Sequence, residues 1–251
     1  MIYLVEHFYS IQGEGRYVGS PSIFFRFGGC NLTCKGFGCF ETSPQNQLLQ
    51  GCDTLYAVDR SFQSSWTPLQ TLEQLISVLG QYQFDFLPHI VFTGGEPLLY
   101  ANEEIFIAFM QYLQAKGYKI TFETNGTIWV DFQKNPVFKN ATYALSVKLA
   151  NSDEPHNKRV RPKAITQIAH YADEAFFKFS IDKDSINASL ESEIEHITSF
   201  APNLSVYCMP VGGDKKSIEA NTPALIEYCK TKGFNFSDRL HIRVWNENKG
   251  V

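Results

Sequence analysis

The stretch Cys30-Asn-Leu-Thr-Cys34 organises this chain, and Cys52-Asp53-Thr54 follows it after seventeen intervening residues. The first stretch comes after an apolar segment, Ser22 to Phe27, that predicts a strand. Cysteine thiolates bind soft metals and iron–sulfur clusters. Three thiolates on a four-iron cluster leave one iron open to a substrate or cofactor. The spacing alone does not exclude a zinc knuckle or ordinary buried cysteines, so the interpretation depends on the other motifs.

The composition is that of an ordinary globular protein. The chain has 251 residues, 44% hydrophobic and 19% charged, and this length fits one large α/β domain or two small ones. A net charge of −4 predicts no broad basic surface for nucleic acid, and no apolar run is long enough for a membrane span. The first residues lack a signal-peptide pattern. Six cysteines without such a signal indicate reduced thiols, so we expect a cytoplasmic protein.

Apolar segments alternate with amphipathic ones through the middle of the chain, which predicts an α/β fold with a mostly parallel sheet. The predicted strands are Ile2 to Phe8, Ser22 to Phe27, His89 to Phe92, Lys119 to Phe122, Ala144 to Val147, Ala175 to Ile181, Leu204 to Met209 and Leu240 to Trp245. The predicted helices lie near 71–81, with Thr71 as N-cap, and near 103–116, 162–171, 185–200 and 217–232. In such sheets the functional residues gather at the C-terminal ends of strands.

One region, from Lys35 to Thr67, is rich in polar residues and glycine and has little periodicity. A long irregular segment inside a compact domain is usually functional. Because it lies between Cys34 and the next predicted helix, we expect it to fold over the cysteine site.

Three polar motifs close predicted strands in series. Thr93-Gly-Gly-Glu-Pro97 contains two glycines that would let a ligand approach the backbone closely. Glu123-Thr-Asn-Gly126 and Ser146-Val-Lys148 close the next two strands, and the serine and lysine could bind a hydroxyl and a carboxylate of a ligand. A tight turn or a solvated lysine explains each motif taken singly. Their serial position at strand ends favours a shared site.

Two features precede the cysteines. Ile11-Gln-Gly-Glu-Gly15 lies between two strands, either as a simple hairpin loop or as an amide and a carboxylate that recognise the donor-rich edge of a heterocycle. Arg26 stands in the apolar strand before Cys30. A buried arginine is rare unless it is paired. It therefore pairs with an acidic residue of the protein or receives the carboxylate of a substrate.

In order and spacing, these motifs resemble the radical S-adenosylmethionine enzymes. The opening of the chain is similar to the 7-carboxy-7-deazaguanine synthase family, which belongs to the biosynthesis of queuosine and other deazapurines. Gly19-x-Pro21 and Phe24-x-Arg26 add to the motifs quoted above, and the resemblance covers about Val5 to Lys148. It implies a single domain over 1–251, a partial (β/α) barrel of the radical S-adenosylmethionine type, with a cluster-loop insertion at about 35–67.

The chain departs from the common family pattern in the segment from Cys30 to Cys52, which we call the cysteine loop. Members typically have two residues between the second and third cysteines, and Asp-Thr directly after the third. Here four residues separate Cys34 from Cys39, whereas Asp-Thr follows Cys52. The resemblance therefore implies that a [4Fe-4S] cluster is held by Cys30, Cys34 and Cys52, and that Cys39 is a bystander.

The resemblance also implies an activity, a lyase reaction. The family converts 6-carboxy-5,6,7,8-tetrahydropterin to 7-carboxy-7-deazaguanine by radical ring contraction with loss of ammonia. It uses the cluster, S-adenosylmethionine and Mg²⁺, an electron donor such as flavodoxin or ferredoxin, and a homodimeric assembly. Carried over residue by residue, Thr54 matches the magnesium ligand, and no catalytic residue is implied beyond the cofactor. The implied S-adenosylmethionine contacts are Gly95, Ser146, Val147 and Lys148. The implied substrate contacts are Ile11, Gln12, Gly13, Arg26 and Thr93, with Glu14 as a neighbouring candidate.

Two alternatives remain open. Another radical S-adenosylmethionine enzyme, such as a glycyl-radical activase, would share the cluster but needs neither the Gln-Gly-Glu loop nor Asp-Thr after the third cysteine. A non-enzymatic zinc or iron–sulfur electron-transfer protein explains the cysteines but not Gly94-Gly95-Glu96-Pro97. The oligomeric state, the reductant and the pathway that the product enters do not follow from the sequence.

The assignment of the third cysteine gives a first prediction. A long loop between ligands adds little closure cost, because that cost grows only logarithmically with loop length. We expect Cys52→Ala to lose the cluster and all activity, and Cys39→Ala to keep both. Iron content and charge-transfer absorbance after anaerobic reconstitution measure this. A colourless Cys39→Ala beside a brown Cys52→Ala reverses the assignment and removes Thr54 from the magnesium site.

Overall fold

The protein is described by a computed structural model that covers residues 1–248 and residue 250. The strands in this part of the chain are β1 (Ile2–Ile11), β2 (Pro21–Phe27), β3 (Cys39–Thr42), β4 (Leu48–Gly51), β5 (Thr67–Leu69), β6 (His89–Gly94), β7 (Ile120–Thr124), β8 (Thr142–Leu145), β9 (Glu174–Ile181), β10 (Val206–Pro210) and β11 (Asn235–Phe236). Nine of them form one sheet in the order β11-β10-β9-β8-β7-β6-β2-β1-β5, and β3 pairs with β4 in a separate hairpin.

The predicted α/β class with a mostly parallel sheet is confirmed. From β2 through β6 to β11, every pair of neighbours is parallel, whereas β1 is antiparallel to β2 and to β5. Parallel neighbours need crossover connections, and helices supply most of them. All the parallel strands therefore end at the same edge of the sheet.

The sheet curves strongly without closing into a full barrel. Five strand steps separate β9 from β1, which is about 24 Å in a flat sheet at ~4.8 Å per step. Nevertheless, Lys178 of β9 places its Nζ 2.8 Å from an Oε2 of Glu14, just beyond the end of β1. Two side chains cannot bridge the flat distance, so the sheet bends around a shared interior as a partial barrel.

The described bounds of the helices are α1 (Leu55–Val58), α2 (Leu72–Leu79), α3 (Glu104–Ala115), α4 (His156–Arg159), α5 (Pro162–Tyr171), α6 (Ala188–Thr198), α7 (Lys215–Lys232) and α8 (Leu240–Trp245). Five of them, α2, α3, α5, α6 and α7, occupy the predicted helical segments. The predicted N-cap of α2 is confirmed, since Thr71 Oγ1 accepts from Gln74 N–H and Gln74 Oε1 accepts from Thr71 N–H. This reciprocal pair satisfies two backbone donors that the helix leaves free.

Aromatic rings fill the space between the sheet and the helices. Phe106 of α3 is fully buried and stands 5.3 Å, between ring centroids, from both Phe27 of β2 and Phe92 of β6. Phe122 of β7 and Phe138 lie at 6.2 and 6.5 Å from the same ring. These separations are those of favourable aromatic pairs. The cluster fixes α3 to the central strands, whose ends carry the polar motifs.

Two parts of the predicted secondary structure differ from the structure. The segment Leu240 to Trp245, predicted as a final strand, is the short helix α8. Its alternating apolar residues mimic a strand, but only Ile242 is buried, and Leu240 N–H donates to the carbonyl of Gly13. A tertiary contact therefore overrides the local pattern. The region 35–67, read as irregular, contains β3, β4 and α1, which are too short to show a period.

Within the described residues, no helix is both long and apolar enough to cross a lipid bilayer.

The aromatic cluster gives a prediction about stability. Phe106→Ala removes a fully buried ring, so we expect it to lower the free energy of unfolding by about 3–5 kcal/mol. Phe86→Ala is the matched control, because the Phe86 side chain is 51% exposed and the change should stay within about 0.5 kcal/mol. Urea unfolding followed by circular dichroism measures both. Equal losses in the two variants would show that Phe106 is not part of the core that holds the sheet.

Candidate active site

A cavity of about 550 Å³ opens at the C-terminal edge of the parallel strands, and we call it the central cavity. Its wall includes side chains from the strand ends, from the cysteine loop and from α8. Cys30 and Gly95 both line it, as expected for a site at the C-terminal edge. All four cysteines of the cysteine region, Cys30, Cys34, Cys39 and Cys52, also face it.

The glycines of Thr93-Gly-Gly-Glu-Pro97 allow two backbones to pack together. A Cβ added at Gly94, whose φ is +136°, would lie 2.1 Å from the carbonyl oxygen of Phe27. A Cβ at Gly95 would lie 2.1 Å from the carbonyl oxygen of Gly29. The N–H groups of Gly95 and Glu96 donate to those same two carbonyls. The glycines were predicted to let a ligand approach the backbone closely. In the structure another segment of the chain makes this approach, and the contact joins the start of the cysteine loop to the end of β6.

Glu154 also holds the cysteine loop in place, through hydrogen bonds. One oxygen, Oε1, accepts hydrogen bonds from Thr33 N–H at 2.5 Å, Thr33 Oγ1 at 2.8 Å and Cys34 N–H at 2.8 Å. Cys34 has a φ of +51°, a conformation that costs energy for a residue other than glycine. The hydrogen bonds outweigh the effect of burial and lower the pKa of Glu154, so Glu154 is ionised at neutral pH.

A second polar network supports Cys30. Asn125 Nδ2 donates to Asn31 Oδ1 at 2.9 Å and approaches Cys30 Sγ at 3.8 Å, and Leu32 N–H donates to the same sulfur. The fully buried Glu96 accepts from Asn125 N–H at 2.7 Å. Burial raises the pKa of Glu96 to about 7, although the hydrogen bonds that the Glu96 carboxylate accepts oppose the shift. Donors aimed at a sulfur stabilise a thiolate and orient a ligand.

The thiol donors on the cavity wall suit an iron–sulfur cluster. All the cysteines are free thiols. Burial raises the pKa of Cys30 and of Cys34 to about 12, and it raises that of Cys52 with a further contribution from Asp53. Bound iron would displace these protons.

A network of ion pairs, most of them buried, also lines the central cavity. Lys178 Nζ lies 2.8 Å from Glu14 Oε2 and 3.0 Å from Glu123 Oε1. Arg239 Nε lies 2.8 Å from Glu14 Oε1, and its Nη2 lies 2.9 Å from Asp53 Oδ2. Burial alone would raise the pKa of Glu14, but the charges of Lys178 and Arg239 hold it well below its usual range. The wall therefore presents fixed charges rather than neutral acids.

Arg26 pairs with an acidic residue and still faces the cavity. Its Nε donates to Glu6 Oε1 at 2.6 Å, and Tyr56 Oη donates to the same oxygen at 2.8 Å. The terminal nitrogens of Arg26 donate no hydrogen bond to any residue that the structure describes. The first of the two roles predicted for Arg26 is thus present, and the residue also lines the central cavity.

Most of the predicted site residues meet in the central cavity. Those that line it are Ile11, Gln12, Gly13, Glu14, Arg26, Cys30, Cys34, Cys52, Thr54, Thr93, Gly95, Ser146 and Lys148. Val147 does not, because its side chain is 2% exposed and packs in the core. Sequence reasoning did not select several cavity residues that the fold brings in, namely Asp53, Glu123, Lys178, Arg239 and His241. For Lys178, a charge in an otherwise apolar strand was an available signal.

Comparison with other proteins agrees with this geometry. A family model described as a 4Fe-4S single cluster domain matches residues 11–169. The crystal structure of QueE from Escherichia coli is 20% identical, covers 96% of this chain and 94% of its own, and superposes with a TM-score of 0.66. SuiB from Streptococcus suis bound to S-adenosylmethionine covers 84% of this chain and 45% of its own, with 13% identity and a TM-score of 0.52. The matching family model defines a protein with a 4Fe-4S single cluster domain, and its fold is shared with these solved structures.

Curated relatives narrow the assignment to one family. A 7-carboxy-7-deazaguanine synthase from Halobacterium salinarum is 27% identical over 96% of this chain and 90% of the relative. One from Aquifex aeolicus is 34% identical over 77% of this chain and 71% of the relative. The chain belongs to the 7-carboxy-7-deazaguanine synthase family.

The hydrogen bonds between Glu154 and the cysteine loop give the next prediction. Glu154→Gln keeps the shape but removes the charge that accepts three hydrogen bonds. Since a hydrogen bond to a charged group contributes about 1.5–3 kcal/mol, we expect reconstituted protein to lose iron to a chelator about tenfold faster. Asp153→Asn makes the same charge change one residue earlier on an exposed side chain and should lose iron at the wild-type rate. Equal rates in all three proteins would remove Glu154 from the support of the loop.

Proposed function

We propose that the central cavity converts 6-carboxy-5,6,7,8-tetrahydropterin to 7-carboxy-7-deazaguanine by radical ring contraction with loss of ammonia. One observation carries the proposal: free thiols and a set of paired charges line the same cavity. The thiols suit a radical-generating iron–sulfur centre, and the charged wall suits a polar heterocycle. Membership of the family supports the same reaction.

The cysteine side of the cavity holds the cofactors. Cys30, Cys34 and Cys52 are the proposed ligands of a [4Fe-4S] cluster, which with bound S-adenosylmethionine supplies the radical that takes a hydrogen atom from the substrate. Lys148 presents a cation for the carboxylate of S-adenosylmethionine, and the hydroxyl of Ser146 lies beside it on the cavity wall. Gly95 and the backbone of Val147 complete this subsite.

The charged side of the cavity holds the substrate. Arg26 lines the cavity, and its terminal nitrogens suit the two oxygens of the substrate carboxylate. Glu14 and Glu123 present carboxylates for the donor-rich edge of the pterin ring, and Thr93 Oγ1 orients Glu123 by donating to its Oε2 at 2.9 Å. The remaining proposed substrate contacts are Ile11, Gln12 and Gly13.

Thr54 is the proposed ligand of a magnesium ion near the substrate carboxylate. Thr54 lines the cavity, and its hydroxyl lies 3.4 Å from Cys52 Sγ. Magnesium prefers oxygen ligands and keeps several waters, so one protein hydroxyl and a substrate carboxylate suit it.

Two partners complete the proposal. The cluster must receive electrons from outside the chain, and a small reductant such as flavodoxin or ferredoxin is proposed as the donor. A homodimer is proposed from the family resemblance.

Anaerobic reconstitution tests the function. With reductant, S-adenosylmethionine and 6-carboxy-5,6,7,8-tetrahydropterin, the wild type should form 7-carboxy-7-deazaguanine, detected by mass spectrometry. Arg26→Lys loses the two-pronged geometry, so kcat/KM should fall about 10–100-fold while S-adenosylmethionine still binds. Arg16→Lys is the matched control, because Arg16 is 45% exposed in a surface ion pair with Glu174.

The outcomes separate the alternatives. A colourless protein that contains zinc indicates a non-enzymatic metal protein. A brown protein that cleaves S-adenosylmethionine but leaves the pterin unchanged indicates another radical enzyme. Unchanged turnover in Arg26→Lys removes that residue from the substrate site.

A further inference from the structure

Arg239 joins parts of the chain that are far apart in sequence. It precedes α8, and its Nε donates to Glu14 Oε1 at 2.8 Å, beyond the end of β1. Its Nη2 donates to Asp53 Oδ2 at 2.9 Å, and its Nη1 donates to the carbonyl of Gly212 at 2.5 Å. Each nitrogen of the guanidinium therefore has an acceptor, and the side chain is only 12% exposed.

The two carboxylates that Arg239 binds belong to two different segments of the cavity wall. Asp53 directly follows Cys52 on the cysteine side. Glu14 stands on the charged side, where Lys178 binds its other oxygen. The planar guanidinium has a fixed fork of donors, so it sets the separation of the two carboxylates in a way that a flexible ammonium cannot. A shift of Asp53 is therefore passed on to Glu14.

We propose that Arg239 is a positioning residue that fixes the loop carrying Cys52 relative to Glu14, and so sets the distance between the cysteine side of the cavity and the bound pterin. The proposal rests on the proposed function of the cavity. Radical transfer between two bound molecules depends on their separation, and a misplacement of about 1 Å can lower a rate about 100-fold. A single side chain bound to both sides is suited to hold that separation.

The residue does not act only as a support for α8. Arg243 lies one turn later and makes comparable contacts, with Nε donating to Asp238 Oδ2 at 2.7 Å and Nη2 to Thr222 Oγ1 at 2.7 Å. These contacts hold α8 against α7, and Arg243 does not line the central cavity. The chain thus offers a matched pair of arginines, one bound across the cavity and one bound outside it.

The test compares Arg239→Gln with Arg243→Gln in reconstituted enzyme. We expect Arg239→Gln to keep its iron and its S-adenosylmethionine binding, to bind the pterin at least about tenfold more weakly by anaerobic equilibrium dialysis, and to release more 5′-deoxyadenosine per product formed. Arg243→Gln should match the wild type in all of these. Arg239→Lys should fall between the wild type and Arg239→Gln, because an ammonium can satisfy only part of the fork.

A double-mutant cycle with Asp53→Asn tests the coupling. If Arg239 acts through Asp53, Asp53→Asn should weaken pterin binding at least about threefold in the wild type and add nothing in the Arg239→Gln background. Independent, multiplying effects overturn the proposal, as does a pterin affinity of Arg239→Gln within twofold of the wild type.

Two controls keep these results interpretable. If Arg239→Gln unfolds below the wild-type melting temperature, Arg239→Lys and Asp53→Asn decide the question with folded protein. A wild type that neither binds nor converts the pterin overturns the proposed function itself, whereas an active wild type with an unaffected Arg239→Gln overturns only this inference.

Discussion

The close contact between the end of β6 and the backbone that leads into Cys30 holds the site together. At Gly94 and Gly95 the two backbones lie so near that a side chain on either residue would overlap a carbonyl oxygen. Two backbone hydrogen bonds join the same segments. Because the aromatic cluster around Phe106 anchors β6 and β2 to α3, the position of the cysteine loop is set by the most deeply buried part of the protein. The packing of the core therefore determines the geometry of the site in this fold.

The charged wall shows how the protein keeps ionised groups inside a cavity. Removing an ion from water is costly unless a partner of opposite charge and sufficient hydrogen bonds replace the solvent. Glu14, Lys178, Glu123 and Arg239 satisfy this requirement by alternating acidic and basic groups. The arrangement is preorganised, since each charge is held before any ligand arrives. Such a wall favours a ligand that itself alternates donors, acceptors and charge, and disfavours an apolar one.

The sequence predicted most of the architecture, because long apolar and amphipathic periods determine which segments become strands or helices. It also predicted the strand-end motifs and the cysteines that face the cavity. It did not predict the contacts of Arg239 or His241, because α8 is a six-residue helix whose place depends on a hydrogen bond to Gly13. The hairpin of β3 and β4 was missed for a similar reason, since four-residue strands carry too little pattern. Val147 was placed by family resemblance, and the fold turns its side chain into the core.

The contact between α8 and the turn after β1 has a consequence for the sequence at position 13. His241 rests directly on Gly13, where an added Cβ would lie 2.1 Å from its Nδ1. A side chain at position 13 would therefore displace the imidazole and open this part of the cavity wall, which both residues line. The small size of one residue thus determines where a segment far along the chain can lie.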